Sequence, residues 1–318
     1  FKRQKSLQID RILACHKNIL WINISAPSLG DSLMDLSSRV MLNNRKVDLF
    51  TDIKNADLYR SDKIFGNIFT CNNEIDSSLY DLIIIDSYSS RSIKIKAEIA
   101  PLIPYVGMYG FFNGPEVNRV LFSFSRLNFL LGNHDDSNKI NATAKASISI
   151  SNSDQLLIEK QNLPERFVAI AIGGEWKHRT YNKWDKVIKE LFLKYENINV
   201  VIVGSGNGLQ NAEELSVIFK HQNLFNCVSK FSFNQTAQII SLAEIFLCVD
   251  GGLMHAANAV DTPIVALLAR LSAQMQLTKS INAFTIFDKD DVNNINEKNI
   301  LTKFEEASSF VDNHLQVE

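Results

Sequence analysis

Short apolar segments alternate with helical segments twice along this chain, and this alternation restricts the fold to one class. Strand patterns occur at 18–25, 47–51, 81–87, 105–109, 167–172, 198–203, 226–228, 245–249, 264–268 and 283–287. Helical patterns occur at 31–43, 117–131, 184–195, 209–220, 235–242, 253–260 and 297–315. Because strands that alternate with helices form parallel sheets, we predict an α/β protein with two doubly wound, Rossmann-like domains.

The polar stretch 133–164 shows no sustained helical period and is our candidate linker. We therefore predict an N-terminal domain at 1–160 and a C-terminal domain at 161–318. The chain length of 318 residues agrees with two cores rather than one. Two such domains would face a central cleft. We expect the catalytic and ligand-binding residues there, at the strand ends of each sheet.

Charge and cysteine content exclude several classes of function. The formal net charge is −2, which provides no basic surface for nucleic acid. The four cysteines are scattered without CxxC spacing, so they indicate neither a zinc site nor a disulfide framework. No run of 18 apolar residues and no signal peptide are visible. A cytoplasmic protein with reduced thiols is the resulting expectation.

The most informative motif follows the apolar run 245–249 directly. Asp250, Gly251 and Gly252 stand where a strand becomes a helix, and His255 lies about one turn into that helix. Helix N-termini at such junctions bind anions, and glycines allow close approach of a ligand to the backbone. We predict half of a nucleotide-sugar site here, although His255 alone is equally typical of a buried core histidine.

A second candidate loop joins the strand at 167–172 to the helix at 184–195. It contains Gly173, Gly174, Lys177, His178 and Arg179. Backbone N–H groups and cations together suit a diphosphate. A solvated basic loop explains the same residues equally well.

The glycine-rich segment Gly204-Ser205-Gly206-Asn207-Gly208 resembles a dinucleotide loop, but it follows the second strand of its half. It also lacks a convincing acidic residue about 20 positions later, so a Rossmann dehydrogenase is disfavoured. A tight turn or a backbone approach to a ribose is the preferred interpretation.

In the first half, Asp31 lies beside Gly30 at the end of the first strand. A carboxylate at the mouth of the sheet is a candidate general base. However, Asp and Ser are preferred helix N-caps, and spacing alone favours Asp31 or Ser32 as the start of the helix.

In this order, Gly30-Asp31, Lys177 seven residues before Trp184, and the segment from Asp250 to Ala257 resemble glycosyltransferase family 9, the ADP-heptose:lipopolysaccharide heptosyltransferases. The resemblance implies a GT-B pair of Rossmann-like domains and an inverting, metal-independent reaction without a cofactor. It also implies a C-terminal donor domain and an N-terminal acceptor domain.

The resemblance assigns roles residue by residue. Asp31 corresponds to the base that deprotonates the acceptor hydroxyl, and Lys177 to the contact with the donor diphosphate. Asp250, Gly252 and His255 correspond to residues around the donor sugar and its phosphates. We expect the neighbouring Gly173, Gly174, Arg179 and Gly251 to complete the donor site.

Three departures concern the donor. Gly251 stands where the family usually has Ser or Thr, and Arg179-Thr180 replaces the usual Trp-Pro. The loop 204–208 has no acidic residue to hold a ribose. Arg179 offers a bidentate phosphate contact in compensation.

The expected function is transfer of heptose from ADP-heptose to a lipopolysaccharide core acceptor. The expected location is the cytoplasm, with peripheral contact at the inner face of the bacterial inner membrane. The basic, amphipathic start at 2–13 fits such a contact, but an ordinary surface helix is favoured. The alternatives are a GT-B transferase for another nucleotide sugar and a non-catalytic protein that binds sugar nucleotides.

Overall fold

The computed structural model describes residues 2–109, 118–278 and 282–315. The chain divides into two compact units, Phe1–Ser149 and Ile150–Glu318, each built around a parallel sheet. Within the described residues, no helix combines the length and apolar character needed to cross a membrane.

The described residues of unit 1 form a five-stranded sheet in the order β3-β2-β1-β4-β5, and every neighbouring pair is parallel. Its strands are β1 (Asn18–Asn23), β2 (Lys46–Thr51), β3 (Phe65–Phe69), β4 (Leu82–Ser87) and β5 (Tyr105–Tyr109). Its helices are α1 (Lys2–Lys5), α2 (Leu29–Asp35), α3 (Ile53–Tyr59), α4 (Ser90–Ile99), α5 (Arg119–Leu130) and α6 (Ser137–Thr143). The strand order reverses between β1 and β4.

In the described part of unit 2, six strands form a sheet in the order β11-β10-β9-β6-β7-β8, again with parallel neighbours. Its strands are β6 (Val168–Ala171), β7 (Val200–Val203), β8 (Leu224–Asn226), β9 (Ile245–Val249), β10 (Ile264–Ala269) and β11 (Ala283–Asp288). Its helices are α7 (Asn152–Glu159), α8 (Trp184–Lys194), α9 (Leu209–Ile218), α10 (Phe233–Leu242), α11 (Gly252–Ala259), α12 (Ala273–Gln276) and α13 (Glu297–Leu315). The strand order reverses between β6 and β9.

The central strands of unit 2 are apolar throughout, because both faces of its sheet are covered. Every residue of β6, β7, β9 and β10 is buried. In unit 1, the apolar residues of β4 are buried as well. Such continuous burial is typical of parallel sheets with helices on both sides. It requires uninterrupted apolar runs, from which these strands were predicted.

The helix predicted at 31–43 is wrong in extent. The α-helix ends at Asp35, and a 3₁₀ helix, Ser37–Leu42, follows it. The Ser37 hydroxyl donates to the Met34 carbonyl at 2.7 Å. Serine side chains that bond to the backbone in this way compete with helix propagation, which accounts for the early end.

We expected no helix in the segment 133–164, but two short helices, α6 and α7, lie within it. Asp136 caps α6 by accepting from the Lys139 N–H at 2.8 Å, and Ser151 caps α7 by accepting from the Asp154 N–H at 3.0 Å. Such capping contacts support helices that are too short to show a clear period.

The N-terminal segment is not the surface helix predicted for 2–13. Only Lys2–Lys5 is helical, and the Ile9 and Ile12 N–H groups donate to the Tyr105 and Leu130 carbonyls. Ile12 is buried, and Leu7 packs against the unit 1 core. Leu7 and Ile12 therefore face unit 1 rather than a membrane surface, whereas Leu13 is exposed.

Arg39 and Asp62 form a buried ion pair inside unit 1. The Arg39 guanidinium donates to Asp62 Oδ2 from Nε at 2.9 Å and from Nη2 at 2.6 Å, and both side chains are almost fully buried. Arg39 also donates to the Leu36 and Ser147 carbonyls. Four of the five N–H groups of Arg39 donate hydrogen bonds, two of them to the Asp62 carboxylate, so the buried charge is compensated.

Lys96 of α4 is buried, and its Nζ donates to Gln4 Oε1 at 2.7 Å. Burial lowers the pKa of Lys96 to about 8. The folded state therefore binds fewer protons than the unfolded state between about pH 8 and the usual pKa near 10.4. The free energy of unfolding therefore rises with pH across this range. The stability gained when Lys96 is neutral is present in full above about pH 10.4 and is lost as the pH falls through 8.

We expect Lys96→Met to be more stable than the wild type at pH 7, by at most about 3 kcal/mol. The difference should shrink as the pH rises to 10, because the wild-type lysine becomes neutral. Urea unfolding at both pH values measures this, with Lys94→Met as the control, since Lys94 is exposed on the same helix. A stability difference that does not change with pH would contradict the assignment.

Candidate functional site

Two loops of unit 2 meet where its strand order reverses. One follows β6 and carries the predicted basic residues, and the other follows β9 and carries Asp250. Ligands of open α/β sheets bind outside the carboxyl ends of the strands at such a reversal. The topology thus places both predicted donor loops at one edge of one sheet.

Asp250 is fixed at the end of β9. Its N–H donates to the Leu267 carbonyl of β10 at 3.1 Å, and its side chain is 2% exposed. Gly251 is the N-cap of α11, and its carbonyl accepts from the Met254 and His255 N–H groups. The earlier N–H groups of the first turn have no partner within the helix and point beyond its end, where they are able to receive an anion.

Arg179 joins the two loops. Its Nη1 lies 3.1 Å from Asp250 Oδ2, although the geometry does not meet the angular criteria of a hydrogen bond. Neither Asp250 Oδ2 nor Arg179 Nε has a hydrogen-bond partner among the described residues. Buried polar atoms of this kind require a partner, so both atoms retain bonding capacity for a ligand.

The basic loop is held in place at its far end. Asn293 accepts from the Asn182 N–H at 2.9 Å, and its side-chain amide donates to the Thr180 carbonyl at 2.8 Å. Tyr181 is buried, and its hydroxyl donates to the Ile295 carbonyl. Lys177 remains exposed. A fixed loop with an exposed lysine differs from the freely solvated basic loop that we considered.

Four glycines allow the loops after β6 and β7 to pack together. Gly173 has φ +99°, and a Cβ there would lie 2.9 Å from the backbone of Gly208. A Cβ on Gly204 or Gly208 would lie 2.3 Å from the Ile172 carbonyl, and one on Gly174 would lie 2.4 Å from the Thr180 hydroxyl. Close backbone packing therefore explains Gly204 and Gly208, whereas a Cβ on Gly206 would have room.

Gly251 lies in an open position instead. Its φ of 173° is accessible to any residue, and no atom would come within 4 Å of an added Cβ. The departure from the usual Ser or Thr therefore has no steric cause. His255 is 5% exposed in the first turn of α11, and its role toward a donor stays a prediction.

Arg270 is a further cation whose charge acts on His178 of the basic loop, and the sequence did not predict it. It follows β10 directly with φ +67°, and its backbone N–H donates to the Asp288 carbonyl. Partial burial and the charges of Arg270 and Arg179 lower the pKa of His178. The available signal was the position of a cation directly after an apolar strand beside β9.

Asp31 lies in the first turn of α2 in unit 1. Ser28 is the N-cap of this helix and accepts from the Asp31 N–H, so the predicted capping role for Asp31 or Ser32 is wrong. Asp31 Oδ2 accepts from the Ser28 hydroxyl at 2.6 Å, and Oδ1 accepts from Arg119 Nη1 at 2.7 Å. The carboxylate is 21% exposed and thus within reach of a ligand.

Asp35 lies one turn further along α2 and forms a buried network with unpredicted partners. It accepts from Arg119 Nε at 2.9 Å and Nη2 at 2.6 Å, and from the Tyr109 hydroxyl at 2.7 Å. Burial raises the pKa of Asp35, and the Arg119 charge opposes this. The only sequence signal was the spacing of four between Asp31 and Asp35, which places them on one helix face.

Asp86 fixes the loop that carries Asp31. This buried side chain at the end of β4 accepts from the Ile24 and Ser25 N–H groups at 2.9 and 2.8 Å. Its other oxygen accepts from the Ser92 hydroxyl at 2.5 Å. The turn after β1 is thereby attached to the neighbouring strand across the reversal of sheet order.

The described residues include no group of three or more His, Cys, Asp or Glu side chains that could hold a metal ion.

The model of glycosyltransferase family 9 (heptosyltransferase) matches residues 121–306, which is more than half of the chain. No curated protein sequence matches.

Several solved structures share the fold at low sequence identity. A family 9 glycosyltransferase from Veillonella parvula has a TM-score of 0.77 at 12% identity and covers 94% of this chain and 99% of its own. E. coli ADP-heptose lipopolysaccharide heptosyltransferase II has a TM-score of 0.72 at 16% identity, covering 91% and 98%. An E. coli heptosyltransferase with ADP has a TM-score of 0.66 at 13% identity, covering 92% and 98%. These matches confirm the predicted α/β GT-B fold and the family resemblance.

Proposed function

The chain belongs to glycosyltransferase family 9, and from this premise we propose that it transfers heptose from ADP-heptose to a lipopolysaccharide core acceptor. Its membership makes it a glycosyltransferase with a GT-B fold. The donor is supported by two neighbours whose descriptions name ADP-heptose and ADP. The observation in this chain that carries the proposal is the contact between Arg179 and Asp250, which brings the basic loop to the N-terminus of α11.

The donor diphosphate is proposed to bind at this edge of the unit 2 sheet. Lys177 and Arg179 supply positive charge, Gly173 and Gly174 keep their loop close to its neighbours, and the first turn of α11 supplies N–H groups. Asp250 is proposed to accept hydrogen bonds from sugar hydroxyls, since a carboxylate accepts several at once. Gly252 and His255 lie on the same helix turn and are assigned to the donor with it.

The proposed reaction is an inverting displacement without a metal ion. Asp31 takes the proton of the acceptor hydroxyl, the hydroxyl oxygen bonds to the anomeric carbon, and the bond to the diphosphate oxygen breaks. Because charge develops on the leaving diphosphate, cations and N–H groups placed around it lower the barrier. Both oxygens of Asp31 already accept one hydrogen bond, and each has a second lone pair for the acceptor.

The proposed acceptor determines the proposed location. A lipopolysaccharide core under assembly places the enzyme in the cytoplasm at the inner face of the bacterial inner membrane. The N-terminal segment is not proposed as an anchor, because Leu7 and Ile12 pack against unit 1.

A thermal-shift panel of ADP, UDP, GDP and CMP with their sugars tests the donor. We expect ADP and ADP-heptose to stabilise the protein, by about 2.7 kcal/mol at a concentration 100 times the Kd. Lys177→Ala should weaken ADP binding by about 10- to 100-fold, the value of one charged hydrogen bond. Lys189→Ala, which removes an exposed lysine of α8, is the matched control.

The panel and a transfer assay together distinguish the proposed donor from the alternatives. Stabilisation by UDP, GDP or CMP in place of ADP would identify a transferase for another nucleotide sugar. No stabilisation by any nucleotide would contradict the donor site altogether. Binding of ADP-heptose without transfer to a deacylated lipopolysaccharide core would favour the non-catalytic alternative or a different acceptor.

A further inference from the structure

Arg119, the first residue of α5, is bound to two acidic side chains of one helix. Its Nε and Nη2 donate to the two oxygens of Asp35, and its Nη1 donates to Asp31 Oδ1. Asp31 and Asp35 are four residues apart in α2 and share a face. One rigid guanidinium therefore spans both carboxylates.

The two contacts differ in their surroundings. Asp35 is buried and also bound by the Tyr109 hydroxyl, whereas Asp31 is partly exposed. Burial lowers the pKa of Arg119, but the charges of Asp35 and Asp31 outweigh this and raise it. Arg119 thus stays charged, and its buried partner fixes the plane of the guanidinium.

The consequence for Asp31 is a fixed orientation. Arg119 holds one carboxylate oxygen at 2.7 Å, and Ser28 holds the other at 2.6 Å. Three of the five N–H groups of Arg119 donate to these two carboxylates, which attaches the guanidinium firmly to α2.

We propose that Arg119 is a positioning residue that orients Asp31 as the base by attaching it to the buried Asp35. This inference rests on the proposed function of Asp31. A base whose side chain rotates freely spends little time in the reactive geometry, and a misplacement of about 1 Å costs about 100-fold in rate.

The test compares Arg119→Ala with Arg126→Ala in transfer from ADP-heptose to a deacylated lipopolysaccharide core. Arg126 lies on the same helix but donates to the Gly107 carbonyl and does not contact either acid. We expect kcat to fall about 10- to 100-fold in Arg119→Ala only, with the donor KM unchanged. Added guanidinium ion should restore part of kcat in Arg119→Ala and none in Arg126→Ala.

Arg119→Lys guards against misfolding of the alanine variant. It keeps the charge but not the rigid fork that spans two carboxylates, so we expect an intermediate kcat. A folded Arg119→Ala that matches Arg126→Ala, or an Arg119→Lys that matches the wild type, overturns the inference. If Asp31→Asn still abolishes transfer in that case, the base assignment survives. If Asp31→Asn transfers normally, both fail.

Discussion

Asp31→Asn should reduce sugar transfer by about 10² to 10⁴-fold, the usual contribution of a general base. Asparagine has nearly the same shape and can still accept from Arg119 Nη1, so the local structure should persist. It cannot take the proton of the acceptor hydroxyl, because its amide is not basic. The affinity for the donor nucleotide should remain at the wild-type value, since the proposed donor residues belong to unit 2.

Initial-rate kinetics together with nucleotide titration measure both parts of this prediction. Asp57→Asn is the control, because Asp57 is exposed on α3 and its carboxylate pairs with the exposed Arg60. Equal transfer by Asp31→Asn and Asp57→Asn would exclude Asp31 as the base. Loss of nucleotide binding in Asp31→Asn would show instead that the substitution disturbs more than proton transfer.

Gly173→Ala should destabilise unit 2 by about 2 to 6 kcal/mol and weaken nucleotide binding. A side chain in the left-handed region costs about 1 to 3 kcal/mol, and crowding in a packed site costs about as much again. Here the added Cβ would meet the Gly208 backbone at 2.9 Å. The strain would move the loop that carries Lys177 and Arg179.

Gly251→Ser is the matched comparison within the same proposed donor site. Its Cβ enters open space, and serine is a better N-cap than glycine by a few tenths of a kcal/mol. We expect a slightly higher melting temperature and equal or tighter ADP binding, because a hydroxyl is added at the N-terminus of α11. Thermal unfolding with and without ADP compares both variants. If Gly173→Ala is as stable as Gly251→Ser, close packing of the loops does not require Gly173.

The sequence predicted the buried strands well and the exposed elements poorly. β5 and β9 begin and end at the predicted residues, because their apolar runs are buried on both faces. β3 was missed, since it is an edge strand with exposed residues at 66 and 67. α4 was also missed. Its segment SRSIKIKAEI carries a buried lysine where a helical period requires an apolar residue.

The same division holds for the candidate site. Motif spacing predicted Asp31, Lys177 and Asp250 as site residues, because each lies in the connection that follows an apolar strand, β1, β6 or β9. It could not reveal Arg119, whose partners Asp31 and Asp35 precede it by more than 80 residues and are joined to it only by the fold. The role of Ser28 as N-cap likewise depends on a backbone conformation that several neighbouring residues could have adopted.

The bond from Arg39 to the Ser147 carbonyl has a practical consequence for dissecting this enzyme. Arg39 is enclosed near the start of unit 1, yet one of its acceptors lies at the very end of that unit. A fragment that stopped before Ser147 would keep the Arg39 guanidinium but lose one of its hydrogen-bond acceptors, which leaves a buried N–H group without that partner. An isolated unit 1 should therefore be cut after this residue, even though the preceding polar segment looks dispensable in the sequence.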